Sequence, residues 1–231
     1  MFLTPDNRMK WKLLCVATVV AALAIGLGIA WFDKPVFLFL RSLDCRFFRF
    51  LGDVFDDKVW FCVFAAIVGV IYIKKTLETG IKYKNAKNHF SLAAVFRDFW
   101  QKTSCKKSFL IFCSILSAGV VALVLKTLIG RARPIFYEAL ELTGFYPPSI
   151  DWVFNSMPSG HTAVSFATLV MIGMLAPRIK VLTWTLAVLI GVSRVAVGAH
   201  WPTDVIFGAF IGMVVADLVK WLMLRNKKAC A

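Results

Sequence analysis

The sequence predicts an all-α, polytopic membrane protein: a bundle of six transmembrane helices with its polar chemistry gathered on one face. Three observations carry that reading. The 231 residues are 59% hydrophobic, with a mean hydropathy of +0.74, more apolar than a chain of this size that must present a polar surface to water. Apolar runs close to the length that a bilayer demands recur along the chain. Between them the loops alternate in charge, basic and then balanced or acidic.

The first run, Leu13 to Phe32, is longer than a signal-peptide core and no small-x-small cleavage site follows it, so it reads as an uncleaved anchor. Val59 to Ile73 is a shorter second span and Phe109 to Ile129 a third. His161 to Ala176, Val181 to Val197 and Val205 to Leu224 supply the fourth, fifth and sixth. Val36, Leu40, Leu43, Phe47 and Leu51 recur at helical spacing, with Arg41, Asp44 and Arg49 largely elsewhere. Such a segment suits the headgroup layer, or an ordinary loop helix packed on the bundle. His89 to Trp100 fits the same two descriptions. No internal repeat or low-complexity tract divides the chain, so residues 1–231 form one domain.

Charge then orients the spans. The stretch from Lys74 to Lys107 carries nine Lys or Arg against Glu78 and Asp98. Arg178 and Lys180 sit in the turn after the fourth span, and both termini are basic. By contrast, 33–57 holds four basic and five acidic residues, and 131–158 two and three. Basic loops stay inside, so both termini face the cytoplasm and the opposite loops face the exterior. The same distribution argues against nucleic acid as the partner of a chain with net charge +14. Six cysteines show no paired spacing, and Cys15, Cys62 and Cys113 fall inside apolar runs, where cysteine acts as a small hydrophobe.

Three polar stretches interrupt the apolar pattern, all on the predicted outer face: Lys126 to Pro134, Pro158 to His161, and Ser193 to Asp204. Lys126 and Arg133 are two turns apart and share a helix face if the helix persists, whereas Pro134 favours its ending there. Arg offers a planar fork to phosphate oxygens and Lys a point charge. Arg131, between them, is expected to point elsewhere, toward headgroups or water. Taken alone, this stretch also fits cations snorkelling at a helix end. Ser159 is placed to N-cap the fourth span, leaving the amides of Gly160 and His161 free at a helix N-terminus that attracts anions. A plain serine cap beside an interfacial histidine would look the same. His200 and Asp204 are one turn apart, so the carboxylate could hold one ring nitrogen and leave the other free to attack phosphorus. Arg194 could add a further clamp. A capping acid beside an interfacial histidine remains the plainer account of that pair alone.

In combination the three stretches are hard to attribute to chance, because they set a nucleophile, an acid and three cations on the face that disfavours positive charge. Lys126 to Pro134, Pro158 to His161 and Arg194 to Asp204 resemble the three-part signature of the type 2 phosphatidic acid phosphatase (PAP2) family, shared with vanadium haloperoxidases, at every signature position. The resemblance implies a lipid phosphatase that uses no metal or other cofactor. His200 would form a phosphohistidine, oriented by Asp204. His161 would protonate the leaving oxygen and then activate water. Lys126, Arg133, Arg194, Ser159 and the Gly160 amide would hold the phosphate. The implied partner is a membrane lipid phosphate in a bacterial-type inner membrane, with the site facing the periplasm or exterior. Undecaprenyl diphosphate and lipid A 1-phosphate are the favoured substrates, ahead of phosphatidylglycerol phosphate and phosphatidic acid. Lipid-to-lipid phosphotransfer by the same histidine is the alternative chemistry, and a non-catalytic anion transporter or scaffold fits less well. Aromatic residues at Phe136, Tyr137, Phe145, Tyr146, Trp152 and Phe154 would form an interfacial belt or wall a lipid entrance.

Overall fold

The computed structural model describes residues 1–4, 6–85 and 107–224. Among them the regular structure is helical, and extended pairing is limited to two isolated bridges, Leu3 with Met9 and Arg131 with Phe145. The helices are α1 (Trp11–Leu27), α2 (Asp33–Ser42), α3 (Arg46–Val54), α4 (Asp57–Asn85), α5 (Lys107–Ile129), α6 (Pro134–Leu140), α7 (Gly160–Leu175), α8 (Lys180–Ala196) and α9 (Pro202–Leu224). The expected amphipathic segment His89 to Trp100 lies outside the described residues.

Four stretches are long and apolar enough to cross a membrane: Trp11–Ser42, Lys107–Ile129, Pro177–Ala196 and Pro202–Leu224. α7 is shorter at 16 residues, about 24 Å at a rise of 1.5 Å per residue. The first apolar run continues beyond Phe32 because α1 passes through a π-helical turn, Gly28–Phe32, directly into α2. A π turn inserts an extra residue and so re-aims the helix beyond it. Trp31 and Phe32 stay outward while Asp33 is buried inside the bundle.

The amphipathic segment from Val36 to Leu51 is two helices, not one. The amides of Leu43 and Asp44 fold back onto the carbonyls of Leu40 and Arg41, and Asp44 accepts from both Arg41 and Arg49 across the corner. α3 keeps the amphipathic character. Phe47 and Phe50 face outward, Leu51 and Gly52 are buried, and the helix packs on α8.

α7 is the buried centre of the bundle, flanked by α5, α8 and α9. Lipid tails are as apolar as leucine, so helices in a membrane gain little from hydrophobic burial and depend on close van der Waals contact between small residues. The sequence supplies them at Ala118 and Ala122 of α5, Ala163 and Ala167 of α7, and Ala216 of α9, all essentially inaccessible. Gly208 takes this furthest: a Cβ there would lie 2.5 Å from the Ser159 carbonyl oxygen and 3.3 Å from the Ala163 nitrogen. Leu110, Ile115, Val170, Met171 and Val215 fill the remaining core. At the far end of α9, about 20 Å from Asp204 along the helix, buried Asp217 accepts the Phe2 amide at 2.6 Å and so docks the N-terminal residues.

Gly208→Leu should overpack the α7–α9 contact, costing about 1–3 kcal/mol and lowering the melting temperature of the detergent-solubilised protein. An unchanged melting temperature would show that the two helices do not depend on this approach.

Candidate active site

The first polar stretch is set by a helix stop. α5 carries Lys126 in its last turn and ends at Ile129. Gly130 then adopts a left-handed φ of +63°, a position where a side chain would also collide with the carbonyls of Tyr146 and Pro147. Beyond it residues 131–133 run alongside the loop that precedes α7: Ala132 N donates to Gly144 O at 3.1 Å, Arg133 N to Val153 O at 3.0 Å, and Ser156 N to Arg131 O at 3.0 Å. Lys126 and Arg133 therefore do not share one helix face. They are brought near each other by the turn, and Pro134 opens α6 as its first residue.

Arg133 is held by three backbone carbonyls, of Trp152, Asn155 and Ala199, at 2.9 to 3.1 Å, and its guanidinium lies 4.4 Å from the centre of the Trp152 ring. Three of its five N–H groups are used, which leaves two for a ligand. Burial, resisted by Asp204 and reinforced by Arg194, pushes Arg133 down to about 10, so it remains charged at neutral pH.

Arg131 corrects the expectation that it turns toward headgroups or water. It is buried, with Nη2 on Asp33 and Nη1 on both Asp204 (2.6 Å) and Thr203 (2.7 Å). Asp33 completes the cluster by accepting from the Thr203 amide and hydroxyl at 2.9 and 2.6 Å. Two carboxylates are a stronger demand for a guanidinium than the bilayer surface is.

In the second stretch Ser159 caps α7 as expected. Its Oγ accepts from the Thr162 amide and hydroxyl, and its own amide donates to the Asp204 carbonyl at 3.0 Å. Gly160 stands beside the cation of the first stretch, since a Cβ on it would lie 3.4 Å from Lys126 Nζ and 3.7 Å from Asp57 Oδ2. Nε2 of His161 lies 2.8 Å from Asp56 Oδ2. The His161 ring and the Asp56 and Asp57 carboxylates approach within 4.8 Å of one another, close enough to share a cation.

The third stretch turns back on itself at the end of α8, where the amides of Ala199 and His200 both donate to the Arg194 carbonyl. Arg194 Nε is buried without a hydrogen-bond partner among the described residues. His200 is almost fully buried, and its Nδ1 lies 2.8 Å from the Ser156 carbonyl. Only a donor can face a carbonyl, so Nδ1 carries the proton and Nε2 keeps its lone pair. Asp204 does not hold the ring as expected: Oδ2 is 3.8 Å from Nδ1. That oxygen is taken by the Ser156 hydroxyl and the Trp201 amide, the other by Arg131. Burial, and then Lys126, Arg133, Arg194 and His161 in that order, hold His200 well below its ordinary range, which keeps it neutral.

The structure thus brings Lys126, Arg133, Arg194 and His161 within electrostatic reach of His200, with Ser159, Gly160 and Asp204 forming the floor. The aromatic residues of the 136–154 region pack partly on this machinery, Trp152 on Arg133, Phe145 over Arg131 and Tyr137 against Trp201. Sequence reasoning missed Asp33, Asp56 and Ser156. The first two sat in a loop with unusual acidity, which was a signal; Ser156 gave none.

A helical membrane protein with two histidines, three cations and a helix N-terminus around one buried point belongs to the class of enzymes that handle tetrahedral oxyanions. The comparisons agree. The chain belongs to the PAP2 superfamily, whose family model matches residues 107–228. It is 28% identical over 204 residues to a lipid A 1-phosphatase of Rhizobium etli, covering 88% of this chain and 81% of that protein. With the lipid A 1-phosphatase of Rhizobium johnstonii it shares 37% identity over 110 residues, 46% of this chain and 45% of the relative. Among solved structures, Aquifex aeolicus LpxE matches over 81% of this chain and 93% of its own, at 21% identity and a TM-score of 0.47.

Removing Arg131 would strand two buried carboxylates. Arg131→Ala should destabilise the protein by about 3–5 kcal/mol, read as reduced resistance to thermal unfolding in detergent. Retention of wild-type stability would show that Asp33 and Asp204 do not need this partner.

Proposed function

We propose that the chain is a lipid phosphatase that removes a phosphate from a membrane lipid through a phosphohistidine on His200, without a metal ion. The observation that carries this is the state of His200, neutral, with Nδ1 committed to the Ser156 carbonyl and Nε2 left as a nucleophile among cations. Phosphoryl transfer needs little else than in-line positioning and stabilised charge on the equatorial oxygens. Lys126, Arg133 and Arg194, with the Gly160 amide and the Ser159 hydroxyl, supply that charge and those donors. His161 protonates the leaving oxygen and then draws a proton from the attacking water. Asp204, 3.8 Å from Nδ1, stabilises the ring electrostatically as it gains positive character, and fixes Ser156 and Trp201.

The fold favours a lipid substrate. Beside Asp57 an apolar groove of about 490 Å³ opens between α4 and α5, lined by Phe61, Cys62, Ile115, Leu116 and Val120 among others. An acyl or isoprenyl chain fits such a surface while its phosphate reaches the cations. The apolar runs support six spans in one domain, the loop charges support cytoplasmic termini, and on that reading the site faces outward from a bacterial-type inner membrane. The names of the Rhizobium relatives favour lipid A 1-phosphate over undecaprenyl diphosphate.

The test is phosphate release by wild-type, His200→Ala and His161→Ala protein in EDTA, across lipid A, undecaprenyl diphosphate, phosphatidylglycerol phosphate and phosphatidic acid. Wild type should release phosphate from lipid A and be inhibited by vanadate. His200→Ala should be inactive, and His161→Ala should slow or stop phosphate release while His200 still reacts in part. Turnover surviving in His200→Ala would remove it as nucleophile. Loss of activity in EDTA would overturn the metal-free mechanism, and appearance of the phosphate on a second lipid in place of water would make the enzyme a transferase.

A further inference from the structure

The corner between α3 and α4 contributes three carboxylates, Asp53, Asp56 and Asp57, to a site otherwise built from three cations and two histidines. α3 reaches the site at Gly52, where a Cβ would lie 2.5 Å from Arg194 Nη1. The corner beyond it therefore runs along the cations. Its carboxylates are not equivalent. Asp53 acts on Arg194. Asp57 lies beside Gly160 and Lys126. Asp56 is locked from both sides: Oδ1 accepts the Lys58 amide at 2.8 Å, and Oδ2 meets His161 Nε2 at 2.8 Å.

We propose that Asp56 is a positioning residue for His161, fixing the ring and offsetting the positive charge that it must carry when it gives a proton to the leaving lipid oxygen. This rests on the reading of His161 as the proton donor. The titratable groups around His161 are Asp56 and Asp57 from the corner, Arg194 from α8, and the neutral His200 from the loop before α9; Lys126 of α5 stands beside the adjacent Gly160. Cations therefore surround a histidine that has to be cationic, and Asp56 is the carboxylate in hydrogen-bond contact with it. Burial works against the Asp56 carboxylate, but the Lys58 amide, His161 and Asp57 together hold it below its usual range, so it stays ionised. With Nε2 on Asp56, Nδ1 is the nitrogen left to act. As the bond from His200 Nε2 to phosphorus forms and the bond from phosphorus to the lipid oxygen breaks, the Nδ1 proton passes to that oxygen. The neutral ring then accepts a proton from the water that hydrolyses the phosphohistidine.

Asp56 also sits where a plain N-cap of α4 would sit, and asparagine preserves that cap while removing the charge. The deciding readout is dependence on the leaving group, because a good leaving group departs without a proton and a poor one does not. Full-length wild type, Asp56→Asn and Asp56→Glu would be assayed in detergent on dodecyl phosphate and on p-nitrophenyl phosphate. Asp56→Asn should lose about 10- to 100-fold in kcat/KM, which reports formation of the phosphohistidine, on the alkyl ester and less than about 3-fold on the aryl ester, and Asp56→Glu should recover much of the loss. Equal losses on both esters or no loss at all would overturn the proposal. A melting temperature in detergent equal to that of wild type checks that each variant is folded. An EDTA and Mg²⁺ arm on each protein tests the competing account: divalent stimulation in wild type that Asp56→Asn lacks would make Asp56, Asp57 and His161 a cation site and overturn the positioning role. His161→Ala forming the phosphohistidine at equally reduced rates from both esters would instead refute the donor reading on which this rests.

Discussion

The site depends on Arg131 and the two carboxylates that it joins. Asp33 comes from the first membrane helix, Asp204 from the last, and Arg131 from the turn after α5, so one guanidinium ties three distant parts of the chain together below His200. A lone charge at that depth would be expensive to bury, and an ion pair gains enough only when its remaining donors and acceptors are also satisfied. Here they are. Thr203 serves Asp33 through its amide and hydroxyl, while Ser156 and Trp201 serve Asp204. The π turn in the first helix belongs to the same cluster, because it precedes the residue at which that outward-facing helix turns a charge into the bundle. Such a network specifies register more than it adds stability: sliding any of the three segments by one residue breaks several bonds at once.

Much of this was legible in the sequence, for identifiable reasons. Hydropathy located four of the six expected spans as helices long and apolar enough to cross a membrane, because span length is a property of composition. Ser159 was readable as a cap because serine before an apolar run has few other uses. The three polar stretches stood out because positive charge is unfavoured on the face to which the loop charges assign them. What failed to show was the direction of side chains after a break in periodicity. The left-handed turn at Gly130 makes residues 131–133 extended, so helical spacing mispositioned Arg131 and Arg133 together. The corner at Asp44 split a segment whose apolar residues kept helical spacing, because its cause is a side-chain pair of arginines that no periodicity records. The role foreseen for Asp204 was adjusted by a backbone carbonyl, that of Ser156, and backbone acceptors leave no trace in residue type.

Charge balance explains the order in which these groups are layered. Innermost, Arg131 with Asp33 and Asp204 carries a net negative charge, set beneath a neutral His200. Above them stand Lys126, Arg133 and Arg194, and outside these the carboxylates of Asp53, Asp56 and Asp57. Three cations gathered around a buried point would repel one another without anions on both sides. The inner carboxylates are sealed in hydrogen bonds. The outer ones are partly exposed, so under the proposed mechanism an arriving phosphate would take over the neutralisation of Lys126 and Arg194 while Asp56 stays bound to His161. A site arranged in this way keeps its cations in place before substrate arrives, which is the condition under which electrostatic stabilisation requires no reorganisation during the reaction. The same layering disfavours a passive anion conduit. Conduction calls for weak, repeated sites along a path, whereas these cations converge on one histidine closed from below by a buried salt-bridge network.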